Sequence, residues 1–285
     1  MILVFGKTGQ VATELQSHKD VIALGRDQAD LSIPITCAEA IRRYEPRAVI
    51  NAAAYTAVDK AEIEENLAST INGDAPGTMS SACAERDIPL LHLSTDYVFD
   101  GLGVAPWSVV DTPNPRNAYG RSKLKGEQAI KAAGCTYAIL RTSWIVSAHG
   151  NNFVKTMRRL SGTRDQITIV DDQVGGPTCA RDIAQTCISI AEQLILDPSK
   201  SGIYHYSGQP NVSWCQFANA IFEQMDTKTI AIPITTMEYP TPAIRPLNSR
   251  LDCSYIQNKF GISRPFWRDG LEEICKDING EHDKA

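Results

Sequence analysis

Two residues in the segment NAYGRSKLKGEQAI could exchange a proton with a ligand. Tyr119 and Lys123 lie four residues apart, so on a helix their side chains share one face. A phenol has a pKa of about 10, and a neighbouring ammonium group lowers that pKa by stabilising the phenolate. The pair is therefore a candidate acid–base group, and an ordinary pair on a helix surface is the alternative.

A second candidate site follows the apolar run IPLLHL. The segment STDYVFDG begins there, with Ser94, Thr95, Asp96 and Tyr97 in succession. The carboxyl ends of strands in open α/β sheets border the ligand crevice, so a hydroxyl at this place would point toward a ligand. The alternative for Thr95 is a hydroxyl that satisfies a backbone amide at the end of the strand.

The amino-terminal segment MILVFGKTGQVATEL places Gly6 and Gly9 between a predicted strand and a predicted helix. Such a turn lets backbone amides approach a pyrophosphate, because a Cβ atom would hold the phosphate away. Ala12 occupies the place of the third glycine of the usual fingerprint and is still small enough for close helix packing. The pattern predicts a dinucleotide site, with a plain strand-to-helix turn as the alternative.

The end of the second predicted strand indicates which dinucleotide is bound. NAD binders carry an acid there for the ribose 2′-hydroxyl, whereas an arginine accommodates a 2′-phosphate. The sequence VIALGRDQ has Gly25 and Arg26 at this place, which favours NADPH. Asp27 is adjacent, so NADH use stays open, and an ordinary surface role is the alternative for Arg26.

Strand and helix patterns alternate along the first half of the chain and would position these residues. The predicted strands are MILVFG, VIALG, AVINAAA, PLLHLST and YAILRTSW, and helical spacing occurs at residues 10–18, 37–44, 68–86 and 119–133. Nearly continuous apolar strands between helices are typical of a parallel sheet covered on both faces. We therefore expect an α/β fold with a doubly wound parallel sheet, followed by a smaller unit.

The composition excludes several classes of function. The 285 residues are 43% hydrophobic and 21% charged, and the formal net charge of −5 lacks the basic character of a nucleic-acid-binding protein. No apolar run approaches the roughly 18 residues of a membrane span, and no leader pattern opens the chain. Eight scattered cysteines without a CxxC pair suit a reduced protein. We expect a cytoplasmic protein without nucleic-acid or membrane partners.

The chain resembles one family over almost its whole length. It is similar to the dTDP-4-dehydrorhamnose reductases of the extended short-chain dehydrogenase/reductase superfamily in the order and spacing of GKTGQ, NAAAYTAVDKAE, STDYVFDG, YGRSKLKGE, RTSWIV, GNNFVKTM, DDQVGGPT and RPLNSRLD. The resemblance implies a Rossmann-type sheet with a smaller carboxyl-terminal substrate-binding lobe. It also implies NAD(P)H-dependent reduction of dTDP-4-dehydro-β-L-rhamnose to dTDP-β-L-rhamnose, the last step of dTDP-rhamnose synthesis.

The resemblance further implies roles for individual residues. The superfamily uses a Ser or Thr, a Tyr and a Lys, which places Thr95 on the C4 ketone, Tyr119 as proton donor and Lys123 on the ribose and beside the phenol. The expected cofactor-binding residues are Gly6, Thr8, Gly9, Gln10, Val11, Arg26, Asp30, Leu31, Ala52, Ala53, Tyr55, Asn72, Ser94, Tyr119 and Lys123. The expected substrate-binding residues are Asp96, Tyr97, Trp144, Asn152, Arg245 and Asn248.

Some of these assignments have structural alternatives. Asn72 is equally well explained as a buried structural asparagine, and Trp144 as a core tryptophan. In RPLNSRLD we favour Arg245 over Arg250 as the ligand of a diphosphate, because a residue that precedes proline is extended rather than helical.

The resemblance also bears on the domains, metal binding and assembly. Residues 1–147 are expected to form the dinucleotide-binding domain, rejoined by about 178–205, and residues 148–177 and 206–285 the substrate-binding lobe, with the polar end GEHDKA frayed. Some members of the family are dimers with a divalent cation held by acids at their interface. Glu14 is present here, but Arg181 stands where several relatives have an acid and would repel a cation. We expect no metal and leave a homodimer open.

Two other functions stay open. Hydride delivery to the opposite face of the same 4-keto sugar would give another 6-deoxyhexose, such as dTDP-6-deoxy-L-talose. The same superfamily branch also includes a non-catalytic NADP-binding protein, the regulatory subunit of methionine adenosyltransferase. A regulatory relative is free to lose the Thr, Tyr or Lys, and this chain keeps all three, which favours the enzyme.

Overall fold

The computed structural model describes residues 1–280, so all but the first residue of the polar end GEHDKA lie outside the described residues. The strands are β1 (Ile2–Phe5), β2 (Val21–Leu24), β3 (Ala48–Asn51), β4 (Leu90–Thr95), β5 (Tyr137–Thr142), β6 (Ile145–Val146), β7 (Gln166–Val170), β8 (Val174–Gly175), β9 (Thr178–Cys179), β10 (Gly202–His205), β11 (Val212–Ser213), β12 (Ile230–Ile234) and β13 (Asn248–Ser249).

The α-helices are α1 (Gln10–Leu15), α2 (Ile35–Tyr44), α3 (Val58–Ala61), α4 (Glu65–Ser69), α5 (Ala75–Ala84), α6 (Ala118–Ala133), α7 (Phe153–Ser161), α8 (Ala180–Leu196), α9 (Trp214–Gln224), α10 (Ser254–Phe260) and α11 (Trp267–Gly280). A π-helical turn at Thr70–Asp74 joins α4 to α5. The five strands predicted in the first half are confirmed as β1 to β5, and helices lie in each of the four segments with helical spacing.

A six-stranded parallel sheet forms the centre of the fold. Its strand order is β10-β5-β4-β3-β1-β2, and each neighbouring pair is parallel. The chain moves outward from β1 to β2 and then crosses back to β3, so the order reverses between β1 and β3. Open sheets of this kind bind ligands beyond the carboxyl ends of the strands at such a reversal. The predicted doubly wound, Rossmann-type sheet is confirmed.

Strand β1 shows why the sheet is apolar on both faces. Ile2 and Val4 belong to the core that α1 and α8 cover, whereas Leu3 and Phe5 belong to the core beneath α2 and α5. All four side chains are buried. Full burial of such a side chain contributes roughly 1.5–3 kcal/mol, so an uninterrupted apolar strand is the stable choice between two helical layers.

A second apolar core lies in the carboxyl-terminal part of the chain. Helices α7, α9 and α11 and the parallel pair β7–β12 surround buried side chains such as Phe217, Ile221, Trp267 and Leu271. Helix α9 begins at a capping box in which the Ser213 side chain accepts a hydrogen bond from the backbone of Gln216. This part forms the outer wall of the site described below.

The chain returns to the large sheet after its first excursion into the second core. Helix α8 packs against α1, and β10 pairs with β5 as an edge strand. The predicted division into domains also has the chain leave the large sheet and return to it, and its boundaries stay a prediction. Within residues 1–280, no helix is both long enough and apolar enough to cross a membrane.

Candidate active site

A crevice of about 800 Å³ runs along the carboxyl ends of β1, β2 and β3. Gly6 has a φ of +109°, and a Cβ atom there would lie 3.3 Å from backbone atoms of Ala52 and Ala53. Only glycine adopts this conformation readily, and its missing side chain keeps the turn close to the next strand. The predicted cofactor-binding residues that line the crevice are Gly6, Thr8, Gly9, Gln10, Val11, Arg26, Asp30, Leu31, Ala52, Ala53, Ser94, Tyr119 and Lys123.

Two predicted cofactor-binding residues are placed elsewhere. Tyr55 and Asn72 are not among the described residues that line the crevice. Asn72 Oδ1 accepts from the backbone N–H of Tyr55 at 2.8 Å, and its Nδ2 donates to the Tyr55 carbonyl and to Ser122 Oγ. The Asn72 amide therefore ties the loop after β3 to helix α6, which is the structural role given above as its alternative.

The outer end of the crevice carries two basic side chains. Arg26 is exposed and pairs with Asp30 Oδ2 at 2.9 Å, and Lys7 lines the same end of the crevice. The Ser32 hydroxyl and, to a lesser extent, the Arg26 guanidinium hold the pKa of Asp30 below its ordinary value. An anion would meet two cations here, together with two acids: Asp30, which Arg26 and Ser32 already engage, and Asp27, which also lines the crevice.

A second cavity of about 620 Å³ meets the crevice at four residues that line both: Thr56, Ser94, Tyr119 and Ile145. Tyr119 is in the first turn of α6, and the Asn117 side chain fixes that turn by accepting from the N–H of Gly120 at 2.7 Å. A Cβ atom at Gly120 would lie 2.2 Å from the Tyr97 carbonyl, so glycine permits this close approach. The phenol of Tyr119 consequently lies between the two cavities.

Thr95 ends strand β4 and lines the second cavity. Its Oγ1 donates to Asp96 Oδ1 at 3.1 Å and accepts from the N–H of Tyr97 at 3.2 Å. The hydroxyl thus satisfies a backbone amide at the end of the strand and also faces the cavity. Burial raises the pKa of Asp96 to about 6. Asp96 Oδ2 and Ser249 Oγ are buried without a hydrogen-bond partner among the described residues.

The electrostatics of Tyr119 and Lys123 differ from the expectation. Burial, and next the nearby Asp96, raise the pKa of Tyr119 to about 12. Lys123 Nζ is turned toward β4, where it donates to the Leu93 carbonyl at 2.6 Å and lies 3.1 Å from His92 Nε2. Burial lowers the pKa of Lys123 to about 8. The lowering of the Tyr119 pKa was expected from Lys123 together with the nicotinamide ring and stays a prediction. In this structure the amine bonds to β4, and burial dominates the pKa of Tyr119.

Four predicted substrate-binding residues line the second cavity: Asp96, Tyr97, Trp144 and Arg245. Trp144 stacks on Trp214 with ring centroids 3.6 Å apart and an angle of 10° between the planes. Arg245 forms a bidentate ion pair with Asp59 at 2.8 and 3.0 Å. The cavity therefore combines an aromatic wall, a basic group held by an acid, and unpaired oxygens.

Asn152 and Asn248 are not among the described residues that line the second cavity, and their substrate-binding roles stay predictions. Asn152 caps α7 by accepting from the N–H of Lys155 at 3.2 Å, and its Nδ2 donates to the Ser147 carbonyl. Asn248 is buried, and its Nδ2 donates to the Ala105 carbonyl at 2.8 Å. Both amides fix loop backbone, and Asn152 Nδ2 also donates to Oε1 of Gln10, which lines the crevice, at 3.0 Å.

Sequence reasoning missed several residues of the site. Lys7 lies within the glycine turn, and Trp214 follows the capping serine of α9. Arg164, Gln173 and Tyr239 also line the second cavity. His92, which lies beside Lys123, was missed although an imidazole within an apolar buried strand needs a polar partner. No local pattern indicates that Trp214 would stack on an indole seventy residues earlier.

Arg181 lies in a surface group of acids. Its guanidinium binds Glu273 at 2.8 Å and Asp277 at 3.0 Å and lies 3.5 Å from Glu14. The part of the chain that the structure describes contains no group of three or more His, Cys, Asp or Glu side chains placed to hold a metal. The expectation that the protein binds no metal stays a prediction.

The sequence of the chain is similar to one family of known proteins over nearly its whole length. The family model described as RmlD substrate binding domain matches residues 1–279. A curated protein of Sinorhizobium fredii named dTDP-4-dehydrorhamnose reductase is 42% identical over 283 residues, which cover 96% of each chain. The protein of that name from Escherichia coli K12 is 38% identical and covers 97% of each chain.

Solved structures agree with these relatives. A dTDP-4-dehydrorhamnose reductase of Clostridium acetobutylicum has a TM-score of 0.91 at 35% identity and covers 98% of this chain and 99% of its own. The enzyme of that name from Bacillus anthracis, solved in complex with NADP, has a TM-score of 0.90 at 33% identity and covers 97% and 98%. From the motifs, the fold and these matches together, the chain belongs to the dTDP-4-dehydrorhamnose reductase family.

Proposed function

We propose that the chain is an NADPH-dependent dTDP-4-dehydrorhamnose reductase. It reduces the C4 ketone of dTDP-4-dehydro-β-L-rhamnose to the alcohol of dTDP-β-L-rhamnose, the last step of dTDP-rhamnose synthesis. The observation that carries this proposal is the position of Tyr119, which lines both the crevice and the second cavity. A proton donor at that junction can serve a ketone bound on one side while hydride arrives from the other.

The residues of the crevice fit a dinucleotide phosphate. The tight turn at Gly6, 3.3 Å from the backbone at Ala52 and Ala53, leaves the amides of the next turn free of an intervening Cβ atom. Arg26 and Lys7 line the crevice near Gly25, beyond the end of β2, where they could bind a 2′-phosphate. This supports NADPH over NADH. When it is bound, the reduced nicotinamide supplies the hydride, and the remaining tasks belong to the side chains of the protein.

Tyr119 holds the proton that the C4 oxygen takes up. Because burial keeps its pKa at about 12, the phenol stays protonated at neutral pH. It gives up the proton when the ketone oxygen gains negative charge, since an alkoxide is a far stronger base than the ketone. Lys123 lines the crevice one helical turn away, a position suited to the ribose hydroxyls.

Thr95 and Asp96 orient the ketone sugar. The Thr95 hydroxyl bonds to Asp96 Oδ1 in this structure, and because a hydroxyl rotates, it can turn its proton toward a carbonyl oxygen in the cavity. Asp96 Oδ2 makes no hydrogen bond of ordinary geometry among residues 1–280, although the nearby Ser249 hydroxyl counteracts the rise that burial causes in the pKa of Asp96. A sugar hydroxyl that donates to this oxygen would satisfy it and place the ring.

The test is a reaction of the purified protein with enzymatically prepared dTDP-4-dehydro-β-L-rhamnose and NADPH. We expect loss of the NADPH absorbance and a product that NMR identifies as dTDP-β-L-rhamnose. A product with the opposite configuration at C4 would indicate a reductase that forms a different 6-deoxyhexose. A protein that binds NADPH but never oxidises it with any dTDP-4-keto-6-deoxy sugar would be the non-catalytic alternative.

The proposal also includes a cytoplasmic location and leaves a homodimer open. All eight cysteines are unpaired and buried, which suits a reducing compartment. Light scattering of the purified protein tests the homodimer.

A further inference from the structure

Asp59 and Arg245 join two parts of the chain beside the second cavity. Asp59 lies in α3, which follows β3 of the large sheet, whereas Arg245 lies in the segment before β13. Arg245 lines the second cavity, and Asp59 is not among the described residues that do. Asp59 was also not among the expected substrate-binding residues. Its carboxylate can act on a ligand of the cavity through Arg245 or through its charge alone.

The bonds of Asp59 fix the plane of the guanidinium group. Asp59 Oδ1 accepts from the backbone N–H of Ala243 at 3.1 Å and from Arg245 Nη1 at 3.0 Å, and Oδ2 accepts from Nη2 at 2.8 Å. The Ala243 carbonyl accepts from the same Nη1 at 3.2 Å. The bond to Arg245 lowers the pKa of Asp59, so the carboxylate is ionised at neutral pH.

The remaining N–H groups of Arg245 suit one kind of ligand. A guanidinium has five N–H groups, and those of Nη1 and one of Nη2 are used in the bonds to Asp59 and Ala243. The N–H of Nε and the second N–H of Nη2 make no hydrogen bond among residues 1–280. These groups lie side by side, and such a fork matches two oxygens of a phosphate. The side chain is 26% exposed, so a ligand in the cavity can reach it.

Arg245 lies close to the junction of the two cavities. Tyr97 packs edge-on against Tyr119 with ring centroids 5.5 Å apart. Burial, and next Asp96, raise the pKa of Tyr97, and the charge of Arg245 opposes them, which places the guanidinium near the Tyr97 phenol. In the proposed substrate the ketone is on C4 and the diphosphate is on C1, across the sugar ring. A ring with its ketone at Tyr119 can therefore direct its diphosphate toward Arg245.

We propose that Asp59 is a positioning residue for the substrate: it orients Arg245 so that the free Nε–H and Nη2–H groups bind the diphosphate of the sugar nucleotide. The inference deepens the proposed function and rests on it. The cofactor is not the source of this phosphate, since Arg245 lines the second cavity and is not among the described residues of the crevice. An arginine that is oriented before the ligand arrives loses less conformational freedom on binding.

A different role for Asp59 predicts the opposite effect on binding. If Asp59 only neutralised Arg245, or occupied it until the substrate displaced the carboxylate, loss of Asp59 would strengthen binding, because a carboxylate repels a diphosphate. If Asp59 positions Arg245, its loss weakens binding although a negative charge is removed. The direction in which the Kd changes therefore separates the two roles.

The test measures the Kd of dTDP by isothermal titration calorimetry, with the full chain saturated with NADPH. Asp59→Asn keeps the shape of the side chain but replaces one accepting oxygen by a nitrogen that only donates. We expect the Kd of dTDP to rise by about two- to tenfold, the value of ordering one long side chain. Asp59→Glu restores a carboxylate on a longer side chain and should recover part of the loss. An unchanged or lower Kd in Asp59→Asn overturns the positioning role.

Arg245→Met completes a double-mutant cycle. It removes the fork and should raise the Kd of dTDP by about 10- to 100-fold. Because Asp59 acts through Arg245, the further change Asp59→Asn in this background should leave the Kd unchanged or lower it. The same rise with and without Arg245 would show that Asp59 only maintains local structure, which overturns the inference.

Two controls report effects that arise elsewhere. Glu65→Gln removes a carboxylate that binds Arg121 at 2.7 and 2.9 Å, and neither residue is among the described residues of the two cavities. This variant should leave the Kd of dTDP unchanged. The Kd of NADPH should be unchanged in every variant, since neither Asp59 nor Arg245 lines the crevice. A rise in the Kd of NADPH by the same factor as that of dTDP would indicate general damage and contradict the positioning role.

The titrations do not depend on turnover. If Asp59→Asn weakens dTDP binding as expected but the protein reduces no dTDP-4-keto sugar, the proposed function fails and the orientation of Arg245 toward a diphosphate stands. If reduction is normal and Asp59→Asn binds dTDP as tightly as wild type, the positioning role fails alone. In active enzyme, Asp59→Asn should raise the KM for the sugar nucleotide more than it lowers kcat.

Discussion

The crevice and the second cavity meet at Tyr119 but are lined by different kinds of groups. The crevice is walled by backbone and small side chains, with the Gly6 turn held against Ala52 and Ala53. The second cavity is walled by large side chains from distant segments, among them the stacked Trp144 and Trp214. Backbone amides suit a phosphate, which any dinucleotide carries, whereas shaped aromatic walls suit one particular ligand.

This difference makes the effects of substitutions separable. A change at the outer end of the crevice should alter only the KM for the cofactor. A change in the wall of the second cavity should alter the reaction of the sugar. Tyr119, which lies at the junction, should be needed for the chemistry with every cofactor and sugar.

The largest effect is expected for Tyr119→Phe. Removal of the phenol hydroxyl deletes the proton donor but leaves the ring that packs edge-on against Tyr97 at 5.5 Å. Loss of a general acid lowers kcat by about 10²- to 10⁴-fold, so we expect that loss with NADPH affinity unchanged. Steady-state kinetics and cofactor titration measure the two quantities.

The matched control for Tyr119→Phe is Tyr204→Phe. Tyr204 is a buried tyrosine on β10 of the same sheet, and its hydroxyl donates to the Lys200 carbonyl outside both cavities. This variant should keep its turnover. Near-normal turnover in Tyr119→Phe would remove Tyr119 from the chemistry.

Thr95→Val should act mainly on the transition state. The hydrogen bond from Thr95 to the C4 oxygen strengthens as that oxygen gains charge, so its removal should lower kcat by about 10- to 1000-fold with little change in KM. Valine keeps the β-branched shape that suits the end of β4. Thr95→Ser, which restores the donor, should recover part of the loss. If the valine variant raises only KM, Thr95 is a binding residue.

Asp96→Asn tests the buried acid of the second cavity through stability. Burial raises the pKa of Asp96 from 3.8 to about 6, so the folded state binds the proton more tightly than the unfolded state does. The contribution of this group to stability is therefore lost as the pH rises through that window. Relative to wild type, Asp96→Asn should gain about 2 to 3 kcal/mol between pH ~4 and pH ~7.

Urea unfolding at several pH values measures this difference. The comparison variant is Asp100→Asn, a carboxyl on the following turn that accepts from the exposed N–H of Leu102. A parallel pH dependence of wild type and Asp96→Asn would show that folding does not raise the pKa of Asp96.

The sequence predicted the crevice better than the second cavity, for a physical reason. A glycine turn and a Tyr–Lys pair depend on residues within one strand, turn or helix, so their spacing in sequence is their spacing in space. Gly6, Tyr119 and Lys123 could therefore be singled out from the sequence. Their catalytic and binding roles stay predictions until they are measured.

The second cavity depends on long-range packing, which local spacing does not encode. Asn152 and Asn248 are polar residues in family motifs, yet their amides cap a helix and hold loop carbonyls. Trp214, which does line the cavity, comes from a helix that the pattern indicates only as amphipathic. The contact of His92 with Asn51 could not be predicted from local spacing either, because Asn51 lies on the neighbouring strand β3.

The smallest effect is expected for Arg26→Ala, at the far end of the crevice from the chemistry. The Arg26 side chain is 78% exposed and forms an ion pair with Asp30. Solvent and the Asp30 carboxylate would therefore weaken its bond to a 2′-phosphate. A charge-assisted contact of this kind should raise the KM for NADPH by about tenfold, leaving kcat and the KM for NADH nearly unchanged. The control is Arg42→Ala, which removes an exposed arginine bound to Glu85 away from both cavities. Equal changes in the KM for NADPH and the KM for NADH would show that Arg26 is an ordinary surface residue that does not contact the 2′-phosphate. A fall in kcat would contradict the separate effects expected for the two cavities.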